Sequence, residues 1–329
     1  MSFFDSIDNL IMYMIYGKGE LPPLDITQIT PSPLLYRPLS FDDYIGQDKA
    51  KAIISSFIAG SKRYDKIFPH TMIYGNAGCG KTTLARIIAG ELQVPFIELL
   101  ATDMAIEEFL SHIQEVNGGI IFLDESHRMK RETVEQLHSV MEDFMWNGQY
   151  IPHFTLIGAT TEIGEIIKNR KPFYDRFKII IELEDYTTQN MLQIIKKYVI
   201  ESYKNEPLRI KALKLIAENS RLTPRKSIRL ADYLYYSGKS IIQVFQDNQI
   251  IDKGYTTKDL KVLEYLQKSG KAVGLDTLSL YLDIPQVTYN YDIEPYLVKT
   301  GLIQRTAKGR IITQCGINEL NNLKLKMGI

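Results

Sequence analysis

Gly75-Asn-Ala-Gly-Cys-Gly-Lys-Thr82 is the stretch that decides the fold, because it fits the phosphate-loop pattern G-x-x-x-x-G-K-[ST]. It follows the apolar run His70–Tyr74 and opens a helical run, which is the strand–loop–helix context that the pattern requires. Glycines let backbone N–H groups turn toward a phosphate, and the N-terminus of the following helix adds a partial positive charge. A glycine-rich turn that arose by chance would not explain the flanking runs. The stretch therefore predicts a nucleotide-binding loop.

Individual residues of this loop have distinct expected roles. The side chain of Lys81 is expected to reach the β- and γ-phosphates of ATP, and the hydroxyl of Thr82 is expected to bind Mg²⁺. Cys79 is interpreted as a small packing residue rather than a redox switch. The loop residues predicted to bind ATP are Gly75, Gly78, Gly80, Lys81, Thr82 and Thr83.

A second motif, residues 118–125, is an apolar run that ends in two acids. A buried strand delivers such carboxylates to the edge of a parallel sheet where phosphates bind. Asp124 is placed to hold Mg²⁺ through water, and Glu125 is placed to polarise an attacking water as a general base. His127 follows, but no other histidine stands at ligand spacing, so a structural or coupling role is expected for it rather than metal binding.

Apolar runs alternate with helical patterns on both sides of these motifs. The runs are His70–Tyr74, Pro95–Leu99, Gly119–Leu123, Phe154–Gly158 and Ile179–Leu183. Strands that alternate with helices imply a mostly parallel sheet covered on both faces. The sequence therefore predicts an α/β fold for this part of the chain.

The remaining segments have different patterns. After Tyr186 the strands are expected to stop, and helices are expected with stops near residues 205–207, Pro224 and Gly238. Near the C-terminus, helices around 257–268, 275–283 and 286–300 precede two β-prone runs that flank Lys308-Gly309. Three helices followed by a hairpin is the order of a winged helix-turn-helix. The expected domains are an N-terminal extension (1–33), a large ATPase domain (34–185), a small helical lid domain (186–254) and a winged-helix DNA-binding domain (255–329).

The composition excludes several classes of protein. Lys plus Arg equals Asp plus Glu, at 39 each, so any contact with DNA needs a local basic patch. Two cysteines, Cys79 and Cys315, do not make a disulfide framework and indicate a reduced, cytoplasmic location. No apolar run reaches the roughly 18 residues that a membrane span needs, so no membrane partner is expected.

Such a basic patch is found at the C-terminus. From Lys299 to the end there are six Lys or Arg and one acid, Glu319, for a local net charge of +5. A wing with two arginines suits contact with phosphates or the minor groove, and a solvated basic tail is the alternative. The proposed recognition helix carries Asp292 and Glu294, so reading of base sequence in the major groove is not expected.

Together these motifs resemble the RuvB family of AAA+ ATPases, which drive branch migration of Holliday junctions. The resemblance extends from Tyr36 to about Leu323 and is most specific in the winged helix. The matching stretches are Arg37-Pro38, Tyr44–Gln47, the phosphate loop, Leu123–Arg128, Met141–Phe144, Phe154–Thr161, Asp175–Phe177, Thr223–Arg225, Glu294–Leu297, Gly301–Thr306 and Gly309-Arg310.

The resemblance implies roles for further residues. Thr161 matches sensor 1, which orients water near the γ-phosphate, and Arg225 matches sensor 2. Arg176 matches the arginine finger, which acts on nucleotide held by the neighbouring subunit. The residues that match positions around the adenine and ribose are Arg37, Ile45 and Tyr186, and those that match DNA-contacting arginines are Arg305 and Arg310.

The resemblance also implies partners. A finger that acts in trans needs a closed ring, and the family implies a homo-hexamer around duplex or four-way-junction DNA. RuvA, the junction-recognising partner of the family, docks on a hairpin arm that here is reduced to the nine residues Met145–His153, which puts RuvA binding in doubt. Other departures from the family are Asn76-Ala77 in the phosphate loop, Tyr174 before Asp175-Arg176, Ser126 after the acidic pair, and Glu162 after Thr161.

Three alternatives share parts of these motifs. A clamp-loader ATPase is expected to carry Ser-Arg-Cys at the finger and a helical collar, whereas this chain has Asp175-Arg-Phe177 and a winged helix. An initiator or helicase loader would use nucleotide as a switch for DNA binding. A DNA-binding regulator without hydrolysis would tolerate the loss of Lys81 or Glu125, and both are present.

Overall fold

The computed structural model describes residues 36–102, 104–204 and 206–328, so the predicted N-terminal extension (1–33) lies outside the described residues. From the N-terminal side, the helices and strands of the first part are α1 (Asp48–Tyr64), β1 (Thr71–Tyr74), α2 (Lys81–Leu92), β2 (Phe96–Leu100), α3 (Ile106–Val116), β3 (Ile120–Asp124), α4 (Arg131–Glu142), β4 (Met145–Trp146), β5 (Gln149–Tyr150), β6 (Thr155–Thr160), α5 (Ile163–Asn169), α6 (Lys171–Tyr174) and β7 (Ile179–Glu182).

Five of these strands form one parallel sheet in the order β2-β3-β6-β1-β7. They are the five apolar runs predicted from the sequence. The central strands β3 and β6 are buried along almost their whole length, as expected where helices cover both faces of a sheet. The predicted α/β fold is confirmed.

Alternation along the strands assigns their side chains to two apolar layers. Ile121 and Leu123 of β3 pack in one cluster with Phe109 of α3 and Leu137 of α4. Phe122, between them in sequence, points to the other face and stacks on a neighbouring ring of β2 at 6.2 Å. Helix α2 covers that second face through a row of buried apolar residues.

Four helices follow the sheet: α7 (Thr188–Ser202), α8 (Ile210–Asn219), α9 (Pro224–Ser237) and α10 (Ile241–Asp247). The predicted break near Pro224 is present, because α8 ends at Asn219 and Pro224 is the first residue of α9, where its missing N–H has no helical partner to lose. The prediction that strands stop after Tyr186 was wrong. A two-stranded ribbon, β8 (Ile250–Asp252) and β9 (Tyr255–Thr256), turns through Lys253-Gly254.

The C-terminal part contains α11 (Thr257–Ser269), α12 (Leu275–Leu282), α13 (Gln286–Thr288), a π-helical turn (Tyr289–Ile293), α14 (Glu294–Lys299), β10 (Ile303–Thr306), β11 (Gly309–Ile312) and α15 (Gln314–Met327). The wing hairpin is confirmed, and Val273 pairs with Arg310 at its side. These elements share one apolar core.

Two features of this part differ from the prediction. The expected helix 286–300 is interrupted, because Pro295 has no N–H and its ring would clash with the carbonyl of residue 291 in a regular helix, so the preceding turn widens. Helix α15 was not predicted. Thr313 caps it through Gly316, and Leu320 and Leu323 bury its inner face. Of the helices that the structure describes, none is long and apolar enough to cross a membrane.

Candidate active site

The phosphate loop joins the end of β1 to the first turn of α2. Its glycines have backbone φ angles that other residues rarely adopt: +150° at Gly75, +75° at Gly78 and +104° at Gly80. A Cβ would also lie 3.0 Å from the carbonyl oxygen of Leu183 at Gly75, and 2.8 Å from the hydroxyl of Tyr44 at Gly80. The loop is therefore a backbone cradle that glycine alone permits at these positions.

Side chains from two other parts of the chain enclose the loop. A Cβ on Gly78 would lie 2.9 Å from the Cβ of Arg225, so the first turn of α9 touches the loop. The hydroxyl of Tyr44 donates to the carbonyl of Gly80 at 3.3 Å, and the hydroxyl of Tyr186 donates to the carbonyl of residue 79 at 3.0 Å. Burial raises the pKa of both tyrosines, so both hydroxyls keep the protons that they donate.

Lys81 lies inside the cradle. Its Nζ donates to the carbonyl oxygens of Gly75 at 2.9 Å and Asn76 at 3.2 Å, and its side chain is almost wholly buried. Thr82 and Thr83 follow in the first turn of α2 and are half-buried. Burial raises the pKa of the Cys79 thiol, which favours the packing role expected for it over a reactive thiolate.

The acidic pair lies at the same edge of the sheet. Asp124 ends β3, and Glu125 follows in a left-handed conformation with φ +51°. Because β6 runs parallel to β3, the end of β6 carries Thr161 to this place. The hydroxyl of Thr161 donates to Oε2 of Glu125 at 3.4 Å. The structure thus brings together the predicted general base and the predicted sensor 1.

The surroundings of Asp124 fit magnesium better than a caged transition metal. Burial raises the pKa of Asp124, while the nearby charge of Lys81 lowers it. Among the described residues, no group of three or more His, Cys, Asp and Glu could hold a metal ion. Mg²⁺ takes one or two carboxylates and completes its shell with phosphate oxygens and water, so a single carboxylate such as that of Asp124 fits this ion.

Gln47 is a site residue whose contact the sequence did not reveal. Its side-chain amide donates to the carbonyl of Glu184 at 2.7 Å and accepts from the N–H of Glu184 at 2.9 Å. The adjacent Gly46 lies against the ring of Tyr186, where a Cβ would come within 3.3 Å. The segment that contains Ile45 is therefore fixed to the connection between β7 and α7. The two partners are 137 residues apart in the chain, so no local sequence pattern predicts their contact.

Comparison with known proteins agrees with this geometry. The model of the Holliday junction DNA helicase RuvB P-loop domain matches residues 36–183, and that of the RuvB C-terminal winged helix domain matches residues 252–321. The RuvB subunit of the Holliday junction branch migration complex of Campylobacter hominis is 37% identical over 319 residues, which cover 88% of this chain and 91% of that protein. The chain belongs to the RuvB family. It is accordingly a nucleotide-binding AAA+ ATPase.

Solved structures agree with membership of the RuvB family. The Thermotoga maritima RuvB Holliday junction branch migration motor is 32% identical and superimposes with a TM-score of 0.75, covering 88% of this chain and 98% of that chain. The Aeropyrum pernix ORC2 protein covers 91% of this chain with a TM-score of 0.50 but is only 13% identical. That second likeness shows a shared fold alone. The family evidence therefore favours the RuvB interpretation over the loader and initiator alternatives.

Arg176, which matches the arginine finger of the RuvB family, makes its described contact with α4. Its guanidinium forms an ion pair with Glu142, the last residue of α4, at 2.7 Å. Within the described residues, no hydrogen bond or ion pair joins Arg176 to residues 75–83. Arg37 is exposed, and the described contacts around the loop do not include it. The ion pair with Glu142 is therefore the contact that places the Arg176 guanidinium in this structure.

The two wing arginines share one buried carboxylate. Arg310 contacts Glu294 through Nε at 2.6 Å and through a terminal nitrogen at 3.0 Å, and Arg305 contacts the same group at 2.8 Å. Glu294 is completely buried, while the side chains of Arg305 and Arg310 are 59% and 18% exposed. Both arginines lower the pKa of Glu294 against the effect of its burial. Arg310 therefore holds the wing to the helices, and Arg305 remains more accessible to solvent.

Acidic side chains from earlier in the chain neutralise part of the positive charge of the C-terminal segment. Lys299 pairs with Asp185 at 2.6 Å, Lys324 pairs with Glu264 at 3.0 Å, and Lys326 pairs with Asp252. The predicted local charge of +5 counted only the last segment and missed these acids, which lie earlier in the chain. Lys308, at the exposed tip of the wing, has no ion pair among the residues that the structure describes.

Three departures from the RuvB pattern have a visible structural setting. The shortened arm is a hairpin of β4 and β5 with a tight Asn147-Gly148 turn, and both turn residues have positive φ, as such turns require. Asn76, unlike a proline, has a side chain that can donate, and it does so to Asp185 at 3.0 Å. The buried hydroxyl of Ser126 donates to the carbonyl of Ala159 on β6 at 3.0 Å.

Proposed function

We propose that this chain is an ATP-hydrolysing motor that translocates duplex DNA and thereby branch-migrates Holliday junctions in recombination and repair. The observation that carries the proposal is the contact between Glu125 and Thr161 at the sheet edge that also bears the phosphate loop. A protein that used nucleotide only as a switch would not need a general base held beside a sensor. Branch migration is the activity that the names of its RuvB relatives state.

The chain's own residues would share the work of phosphoryl transfer. Backbone N–H groups of the loop and Lys81 would bind the phosphates, and Tyr186 with Ile45 would bind the nucleoside end. Thr82 and Asp124 would hold Mg²⁺, which neutralises phosphate charge when bound. Glu125 would orient and polarise the attacking water, and Thr161 would hold that carboxylate in place.

Two arginines would complete the site from outside the sheet. Arg225 already touches the loop at Gly78 and would bring the helical segment, residues 186–254, onto the γ-phosphate. Arg176 would enter from the neighbouring subunit of a homo-hexameric ring and stabilise charge on the transferred phosphoryl group. Nucleotide state would thereby set the angle between the sheet and the helical segment, with Tyr186 and Gln47 at the joint.

The winged-helix segment, residues 255–329, would grip DNA through Arg305 and Lys308, with Arg310 in support. These residues would contact the phosphate backbone rather than the bases, so binding would not depend on base sequence, as a translocating motor requires. A RuvA-like partner would have only the short hairpin of β4 and β5 to dock on, where Tyr150 is 84% exposed. The cytoplasmic location predicted from the sequence is compatible with this function.

The test is separation of the arms of a synthetic four-way junction with labelled strands. We expect product with ATP and none with a non-hydrolysable ATP analogue, each with and without RuvA. Product without RuvA would make the short arm a functional change. If the chain binds the junction with ATP or with the analogue but never separates its arms, the result favours the switch alternative and refutes the motor.

A further inference from the structure

We propose that His127, supported by Glu162, is a positioning residue that fixes the Glu125 carboxylate for its role as general base. The proposal deepens the proposed function and rests on it. His127 lies in a short 3₁₀ turn, Ser126–Arg128, directly after the acidic pair, and is 8% exposed. From the sequence alone, only a structural or coupling role was expected for His127.

The imidazole of His127 lies between two carboxylates. Its Nδ1 is 3.3 Å from Oε2 of Glu125 and 3.0 Å from the hydroxyl of Thr160, and its Nε2 is 3.7 Å from Oε1 of Glu162. The Thr160 hydroxyl also accepts the backbone N–H of Glu162 at 2.9 Å. The ring thus connects the general base to the end of β6, which carries Thr161.

The contacts leave one oxygen of Glu125 free. Thr161 and His127 both approach Oε2, and within the described residues Oε1 has no hydrogen bond or ion pair. Thr161 donates a hydrogen bond to Oε2, and the imidazole of His127, whose Nδ1 is hydrogen-bonded to Thr160, lies 3.3 Å from the same atom, so rotation of the carboxylate would lose both contacts. The remaining oxygen is then available to accept a proton from water. We therefore assign to His127 the role of orienting the Glu125 carboxylate. His127 itself would not contact ATP.

The turn that holds His127 is itself fixed to the sheet and to α5. The Ser126 hydroxyl donates to Ala159 of β6 at 3.0 Å, and Arg170 donates to the carbonyl of Ser126 at 3.2 Å. Movement of the end of β6 would therefore move His127 and Glu125 together. Ser126 and Glu162, two departures from the RuvB pattern, therefore belong to the same network of contacts around His127.

The experiment measures steady-state ATP hydrolysis against ATP concentration for the full chain and four variants. We expect His127→Ala to lower kcat by about tenfold or more, since misplacing a catalytic group by about 1 Å can cost up to about a hundredfold, and to leave KM nearly unchanged. His127→Asn keeps a donor near the position of Nδ1 and should recover most of kcat. Glu162→Gln, at a half-exposed side chain, should lower kcat by a smaller factor. His112→Ala, which removes a histidine 3.3 Å from a glutamate on α3, is the matched control and should match wild type.

Thermal unfolding and ADP binding show whether each variant is folded. If His127→Ala is unfolded, Glu162→Gln carries the test. An unchanged kcat in the folded variants would overturn the proposal, and so would equal losses in His127→Ala and His127→Asn, which indicate a merely structural role. If wild type itself hydrolyses no ATP, the proposed function fails and this inference fails with it; an active wild type beside an unaffected His127→Ala refutes the inference alone.

Discussion

At the residue scale, several polar groups are fixed by contacts that join distant parts of the chain, and His70 is the clearest case. Its Nδ1 accepts the N–H of Leu156, so the ring proton must lie on Nε2, which donates to the carbonyl of Met141 at 3.0 Å. Protonation of Nδ1 would break the first of these bonds. Burial lowers the pKa of His70 to about 4 from an ordinary value of 6.5.

The stability of the protein is therefore expected to depend on His70 in mild acid. In the unfolded chain His70 is protonated below about pH 6.5, whereas in the folded chain it is protonated only near pH 4. The contribution of neutral His70 to the free energy of unfolding is therefore full above pH 6.5 and is lost as the pH falls toward 4. Between pH 7 and pH 5 the loss should be about 2 kcal/mol in the free energy of unfolding. Denaturant unfolding of wild type and His70→Gln at both pH values measures it. Equal pH dependence in the two proteins would contradict the account.

The candidate site shows which residues sequence can and cannot predict. The loop from Gly75 to Thr82 and the pair Asp124-Glu125 are contiguous motifs whose chemistry requires their spacing, so both were predicted before the structure. Gln47 and His127 act through partners at distant positions or on another strand, and no periodicity marks them.

At the element scale, the parallel sheet was predictable because its strands are short, apolar and separated by helices. Local exceptions escaped prediction. Pro295 widens a helix into a π-helical turn, and Gly254 allows a ribbon where only helices were expected. The helix α15 was missed because its apolar spacing lies within a segment interpreted only by its charge. In the first two cases a single residue outweighs the average pattern of its segment.

The wing supplies a prediction at this scale. Gly309 has φ +129°, and a Cβ there would lie 2.2 Å from the carbonyl oxygen of Val273, whose backbone pairs with Arg310. We expect Gly309→Ser to separate the wing from this bridge, at a cost of about 1–3 kcal/mol in folding free energy, and to weaken DNA binding. ATP binding should be unaffected, because the phosphate loop lies between β1 and α2, outside the winged-helix segment. Thermal unfolding and DNA-binding titrations measure both effects.

The matched control is Gly274→Ser, at an exposed glycine that directly follows Val273. A Cβ there meets nothing within 4 Å, and Gly274 caps α12 in an extended conformation that serine favours. The control should therefore be as stable as wild type. Equal behaviour of the two variants would show that the bridge does not hold the wing.

At the scale of the whole molecule, the account requires a ring in which each site uses two subunits. Lys81 belongs to the subunit that binds the nucleotide, and Arg176 would come from its neighbour. Lys81→Ala and Arg176→Ala should each abolish ATP hydrolysis when assayed alone. Mixed in equal amounts, they should recover about a quarter of wild-type activity, because about a quarter of the interfaces in a random closed ring pair an intact loop with an intact finger. A mixture as inactive as its components would place the finger in cis or exclude the ring.

The most direct test of the central claim, that the chain hydrolyses ATP to move DNA, is the rate of ATP hydrolysis with and without a four-way junction, for wild type and Glu125→Gln. The account predicts hydrolysis by wild type that rises when the junction is added, and loss of that hydrolysis in Glu125→Gln, which should still bind ATP because the loop is intact. Hydrolysis that is absent from wild type, indifferent to the junction, or retained in Glu125→Gln would contradict it.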